Sequence, residues 1–174
     1  LYWPHQIKIS DALAALQQLS GQQLLYWRVE TDQQHAMALS GCGIDQLSRL
    51  IVNIELWKQL NSIQQQGIGA IHLKQPQLLQ LKKGDLKTGK RYIAACHDLA
   101  SALHAQSIGC DAILLSPVLA TATHPEASPL GWEQFELIAR QLQIPVFALG
   151  GMRQELLIEA QQHHAYGIAG MRFL

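Results

Sequence analysis

Cys110-Asp-Ala-Ile-Leu-Leu-Ser-Pro-Val-Leu-Ala-Thr-Ala-Thr-His-Pro-Glu-Ala-Ser-Pro-Leu-Gly131 is an apolar run that passes directly into a loop rich in hydroxyls. Residues 112–115 are apolar without alternation and follow Gly109 and Asp111, which suits a strand covered on both faces, as in a parallel sheet. Ser116, Thr121, Thr123 and His124 then present three hydroxyls and an imidazole at the C-terminal end of that strand. Parallel α/β folds gather their ligand sites at that end.

Outward from this stretch the chain alternates. Downstream, 132–142 reads as an amphipathic helix, 145–149 as a strand closed by Gly150-Gly151, 153–162 as a helix and 167–171 as a last strand. Upstream, Leu99, Ala102, Leu103 and Ala105 recur at helical spacing over 98–107, with Asp98 placed to favour the helix N-terminus and Gly109 to stop it. Strands are expected at 92–97, 70–73, 50–53 and 24–29, with helices over 55–66 and after an N-cap at Ser10. Between Thr31 and Leu50 the pattern is mixed, and His35–Leu39 fits either a strand or a helical turn. Sustained βα alternation predicts a parallel sheet with right-handed crossovers. Seven strands are clear, and an eighth at His35–Leu39 would close a (β/α)₈ barrel. A single α/β domain over 1–174 is expected, with 1–22 as an N-terminal extension and helix.

Thirteen basic and thirteen acidic residues cancel, and no basic run exceeds Lys82-Lys83, so nucleic acid and anionic membranes are not expected partners. Without a spanning apolar stretch or a signal-peptide pattern, the expected location is cytoplasmic. Cys42, Cys96 and Cys110 are odd in number and lack C-x-x-C spacing, so buried free thiols are expected rather than disulfides or a zinc site. The chain opens at Leu1 without methionine, as a domain excised from a longer fusion protein would.

Gly150-Gly151 and Gly167-Ile-Ala-Gly170 lie where the last two strands end. In a barrel such glycines either let backbone N–H groups close on a phosphate or simply permit tight turns, and both readings stand. His97, at a strand end, is a candidate acid or base or a packed cap; His72 is a weaker case of the same kind, and His163-His164 are expected to be solvated. No pair of carboxylates falls at strand ends: Asp111 precedes its strand, and Glu126 and Glu133 lie in a loop and at a helix start. No metal ligand is therefore assigned, since hard cations want carboxylate oxygens.

Ala95-Cys-His97, the Gly109–Thr123 segment, Gly131, Ile144-Pro-Val-Phe-Ala-Leu-Gly-Gly151 and Gly167-Ile-Ala169 resemble, in order and spacing, the thiamine phosphate synthase/TenI family of barrels over residues 50–174. Leu-Ser-Pro-Val118, Thr-His-Pro125 and Leu-Gly-Trp132 resemble most the synthase-like domain fused behind Nudix hydrolase domains. The resemblance implies a TIM (β/α)₈-type barrel, here shortened, with the second βα unit compressed or missing. It implies a transferase joining a pyrimidine pyrophosphate to a thiazole phosphate with magnesium's help. It would set Thr121 and Thr123, with Ser116 at the same strand end, beside phosphate or pyrophosphate groups. Gly150, Gly151, Gly170 and Met171 would hold phosphate, and Asn53 would match the asparagine ending the family's third strand.

The departures bear on catalysis. The family's Asn-Asp pair is here Asn53-Ile54, the aspartate expected after Ile71-His-Leu73 is replaced by Lys74-Gln-Pro76, and no Gln-x-Arg-x-Lys motif is found. Ala95 stands for the serine two residues before His97, His124 for the lysine after the second threonine, and Pro117 for the TenI loop histidine. Two functional expectations follow. In one, the domain acts in thiamine biosynthesis or salvage, with His97 and His124 as catalytic groups and magnesium only if synthase activity is retained. In the other, it is a non-catalytic phosphate-ligand module partnered with a Nudix-type hydrolase. A third, structural reading is a homodimer or interdomain surface carrying Tyr2, Trp3 and Trp57.

Overall fold

The computed structural model describes residues 9–18, 24–27, 33–121 and 128–170. Two compact units divide them, one within Leu1–His72 and the other within Leu73–Phe173. In the first, α1 (Ile9–Gln18), β1 (Leu25–Trp27), α2 (Gln33–Leu39), α3 (Ile44–Leu47), β2 (Leu50–Asn53), α4 (Ile54–Gln59) and α5 (Ser62–Gly67) lead into β3 (Ala70–Leu73). The strands are parallel and in chain order, with Tyr26 opposite Ile51 and Asn53 opposite His72. Strand alternation then sets Tyr26, Ile51, Asn53, Ala70 and His72 on one face and Trp27, Val52 and Ile71 on the other. All three residues of β1 are buried, as a strand covered on both sides must be.

Two readings are decided here. Of the two open for His35–Leu39, a strand or a helical turn, the helical one stands: the segment belongs to the helix α2 and adds no eighth strand. The run Ala36-Met-Ala-Leu39 has no β-branched residue and high helix propensity, and Leu39 is fully buried. The single helix expected over 55–66 is two helices. Asn61 Oδ1 accepts from Gln64 N–H at 2.9 Å while Gln64 Oε1 accepts from Asn61 N–H at 2.9 Å, so this capping box starts a new helix after the extended Leu60. Trp57 is buried, its indole N–H donating to Gln65 O at 3.3 Å, so it is core and cannot form a surface contact.

The second unit continues with α6 (Gln75–Leu78), β4 (Tyr92–Cys96), α7 (Leu99–Ile108), β5 (Ala112–Leu115), α8 (Gly131–Ala139), β6 (Val146–Leu149), a 3₁₀ turn (Gln154–Leu156), α9 (Leu157–Gln162) and β7 (Gly167–Ala169). Strands β4 to β7 are parallel and in chain order. Asp98 caps α7 by accepting from Ser101 N–H at 2.7 Å, and Gly109 ends that helix at φ +98°. The small, fully buried Ala102 and Ala105 let α7 lie close on β4 and β5, and Phe135 and Ile138 are the large buried side chains of α8. The result is an α/β fold of the TIM-barrel type, with seven parallel strands among the described residues. Also among them, no helix is long and apolar enough to cross a membrane.

Candidate functional site

The C-terminal ends of β4 and β5 lie side by side. Cys96 pairs with Leu115, and the next residues, His97 and Ser116, meet beyond them, with Ser116 N–H donating to Cys96 O at 3.0 Å. The His97 ring stands with Nδ1 2.7 Å from Ser116 O and 3.4 Å from Ser116 Oγ. Its backbone N–H donates to Gln75 Oε1 at 2.9 Å, and Gln75 Nε2 donates to Asp98 Oδ2 at 3.4 Å. His97 is thus exposed yet held at both backbone and ring. Asp98 itself is kept below the usual carboxylate range, chiefly by the Ser101 N–H it caps.

At the ends of β6 and β7, Gly150 and Gly170 each follow the paired residues Leu149 and Ala169. Val118 N–H donates to Leu149 O at 2.9 Å and Leu119 N–H to Gly150 O at 3.1 Å, so the segment after β5 is stitched onto the segment after β6. Gly150 has φ +94°, and a Cβ there would lie 2.8 Å from Pro117 Cα; Gly151 has φ +69°, and its Cβ would lie 2.7 Å from Leu119 Cβ. Both glycines are therefore required by packing as well as by backbone conformation. The start of α8 joins the same cluster through Leu130 N–H to Pro117 O at 2.8 Å and Gly131 N–H to Val118 O at 2.9 Å. The Gly151 N–H has no hydrogen bond to another described residue. Thr121 is half-buried in this loop, while Thr123, His124 and Met171 lie outside the described residues.

In the first unit Asn53 is fully buried and caps α4, its Oδ1 accepting from Glu55 N–H at 2.9 Å. On the same face Tyr26 OH lies 2.8 Å from His72 Nδ1, with the ring centroids 4.5 Å apart. Burial drives the Tyr26 phenol well above its ordinary range, opposed by a hydrogen bond with the Asn53 side chain. These three strand residues are occupied with one another.

A family model described as thiamine monophosphate synthase (TMP-TENI) matches residues 34–174. The chain belongs to the thiamine monophosphate synthase family. Among its relatives, a thiamine-phosphate synthase of Chloroflexus aurantiacus (strain ATCC 29366 / DSM 635 / J-10-fl) is 34% identical over 76 residues, which are 43% of this chain and 35% of that protein. Matches of this kind span well under half the length of the curated relatives concerned. Thiamine phosphate pyrophosphorylase from Pyrococcus furiosus superposes with a TM-score of 0.64 at 16% identity, over 97% of this chain and 82% of that one. The thiamine phosphate pyrophosphorylase of Bacteroides thetaiotaomicron gives 0.65 at 16% identity, over 98% and 80%. At such identity the two structures establish the fold, and the family model establishes the membership.

The magnesium that synthase activity in this family implies does not fit the residues present. Ile54 follows Asn53 and supplies no side-chain oxygen, the Asn53 side-chain oxygen is engaged as a cap, and Lys74 brings a positive charge to the end of β3. Among the described residues no group of three or more His, Cys, Asp or Glu side chains is placed to hold a metal ion. Sequence reading overlooked Gln75, which it registered only as part of a missing aspartate motif. His163, expected to be solvated, instead has Nδ1 2.8 Å from Glu136 Oε2 and stacks on Trp132 with centroids 5.4 Å apart.

Proposed function

We propose that this chain is a thiamine phosphate synthase/TenI-type domain that binds a phosphorylated thiazole or pyrimidine compound at the C-terminal ends of β4 to β7, without a magnesium-assisted release of pyrophosphate. The observation that carries the reading is the Gly150-Gly151 turn. Its glycines bring the β5 and β6 loops together and leave the Gly151 N–H without a partner among the described residues. Backbone N–H groups in a positive-φ turn form the kind of concavity that takes anions. Ser116, Thr121 and Thr123 would add hydroxyls, His124 a further cation or proton donor, and Gly170 and Met171 backbone N–H groups from the neighbouring strand end. Asn53 is left to capping in this proposal.

Loss of both acidic positions argues against turnover. A diphosphate leaving group needs its growing charge offset, and among the described residues no cluster of His, Cys, Asp or Glu is placed to hold a divalent cation for that purpose. The text at Leu115-Ser-Pro-Val118 and Leu130-Gly-Trp132 supports an upstream Nudix hydrolase domain as the partner such a binding module would serve. Calorimetric titration with thiazole phosphate, hydroxymethylpyrimidine pyrophosphate and thiamine phosphate, each with and without magnesium, tests the proposal. Magnesium-independent binding of one of them is expected. Binding or pyrophosphate release that requires magnesium would overturn the metal-free reading, and no binding of any of the three would overturn the site.

A further inference from the structure

Resting on that site, the geometry around His97 assigns a chemical role to one atom. A carbonyl oxygen only accepts, so the 2.7 Å contact between His97 Nδ1 and Ser116 O requires the proton on Nδ1. The neutral ring then carries its lone pair on Nε2. No described residue donates to that atom: the hydrogen-bond partners of His97 are Ser116 O, Ser116 Oγ and Gln75, all of which reach Nδ1 or the backbone N–H, and the nearby Asp98 carboxylate has no proton to donate. Gln75 fixes the backbone from which the ring projects, since its Oε1 takes the His97 N–H while its Nε2 rests on Asp98. The ring is exposed, at the strand end where the proposed ligand lies. We propose that the Ser116 carbonyl and the Gln75 amide lock His97 as its Nδ1–H tautomer, making Nε2 the proton acceptor this site offers to an O–H or N–H of its ligand. Gln75 is a positioning residue in this scheme. A ligand bearing only acceptors at that point would be disfavoured, because two lone pairs would face each other.

Two-bond ¹H–¹⁵N correlation spectra of the ¹⁵N-labelled chain at about pH 8 read the tautomer without any ligand. The expected spectrum has His97 Nδ1 proton-bearing and Nε2 bare; the reverse, or an even mixture, overturns the lock. Gln75→Leu should spread the ring between tautomers, and Gln75→Glu, which keeps an acceptor for the His97 N–H, should restore the single form. An unchanged spectrum in Gln75→Leu removes Gln75 from the scheme. His97→Asn keeps an amide donor for Ser116 O but has no acceptor at the Nε2 position. Titrated with hydroxymethylpyrimidine pyrophosphate, it should bind several-fold to about tenfold more weakly than the unaltered chain, the factor that one hydrogen bond is worth. Equal affinity would refute the acceptor role. If the unaltered chain binds nothing, the site itself is refuted while the tautomer result stands on its own.

Discussion

Alanine at position 150 adds a single methyl group, and the structure says where it goes. The residue has φ +94°, and the new carbon would sit 2.8 Å from both Pro117 Cα and Pro117 Cβ and 3.2 Å from Val118 N. Two costs combine. Holding an L-residue in the left-handed region costs about 1–2 kcal/mol. Forcing a methyl into a packed site costs about 1–3 kcal/mol more through displaced neighbours. The expected loss is therefore about 2–5 kcal/mol, and the Leu119 N–H to Gly150 O bond is the first contact to open. Gly109 supplies the control, because it has φ +98° but nothing within 4 Å of its Cβ position. Gly109→Ala should lose only the conformational part, about 1–2 kcal/mol. Urea unfolding of both variants, followed by far-ultraviolet circular dichroism, measures the difference directly. Equal losses would refute the claim that the β5 loop presses on Gly150, and a neutral Gly150→Ala would refute the turn geometry itself.

Two further outcomes follow from buried and paired groups. Alkylation by iodoacetamide should modify Cys42 well before Cys96 and Cys110, because the latter pair is buried and each thiol is pushed up to about 12 by desolvation; mass spectrometry showing equal rates would contradict that burial. Glu136 is held below its ordinary value of 4.5, first by the hydrogen bond from His163 and then by Arg140. The unfolded carboxyl therefore takes up a proton at higher pH than the folded one, so the stabilisation is present above about pH 4.5 and is lost as pH falls through the folded value. The melting temperature of Glu136→Gln should lie below that of the unaltered chain at neutral pH and converge on it in acid, and a constant gap would sink this account.

Legibility in the sequence followed burial. β5 was readable because Ala112 to Leu115 are mostly buried and carry no polar residue, and α7 because Asp98 and Gly109 mark both of its ends with local chemistry. The split between α4 and α5 was not readable from periodicity, since Leu56, Trp57 and Leu60 continue a helical pattern that only the Asn61–Gln64 capping box interrupts. At the site, the strand-end histidine and the paired glycines were visible as residues. What holds them was not: the Gln75 to His97 bond spans 22 positions and depends on a side-chain rotamer, which no local spacing encodes. The His163 stack on Trp132 was hidden for the same reason.

The strand ends of the two units have been put to different uses, and this bears on what the chain does. In the first unit the polar strand residues satisfy one another: Asn53 caps a helix, and Tyr26 and His72 share a hydrogen bond in a buried setting. A buried polar group with its partners already supplied gains little by turning to a ligand, because it must first give up bonds whose loss costs about 1–3 kcal/mol each when unreplaced. In the second unit the balance is reversed. The Gly151 N–H and the His97 Nε2 have no partner among the described residues, although their surroundings are tightly fixed by the β5 loop and by Gln75. Fixed positions with unspent donors and acceptors are what binding requires, since little ordering remains to be done when the ligand arrives. That contrast between occupied and unspent polar groups is what the recognition role proposed for the second unit rests on.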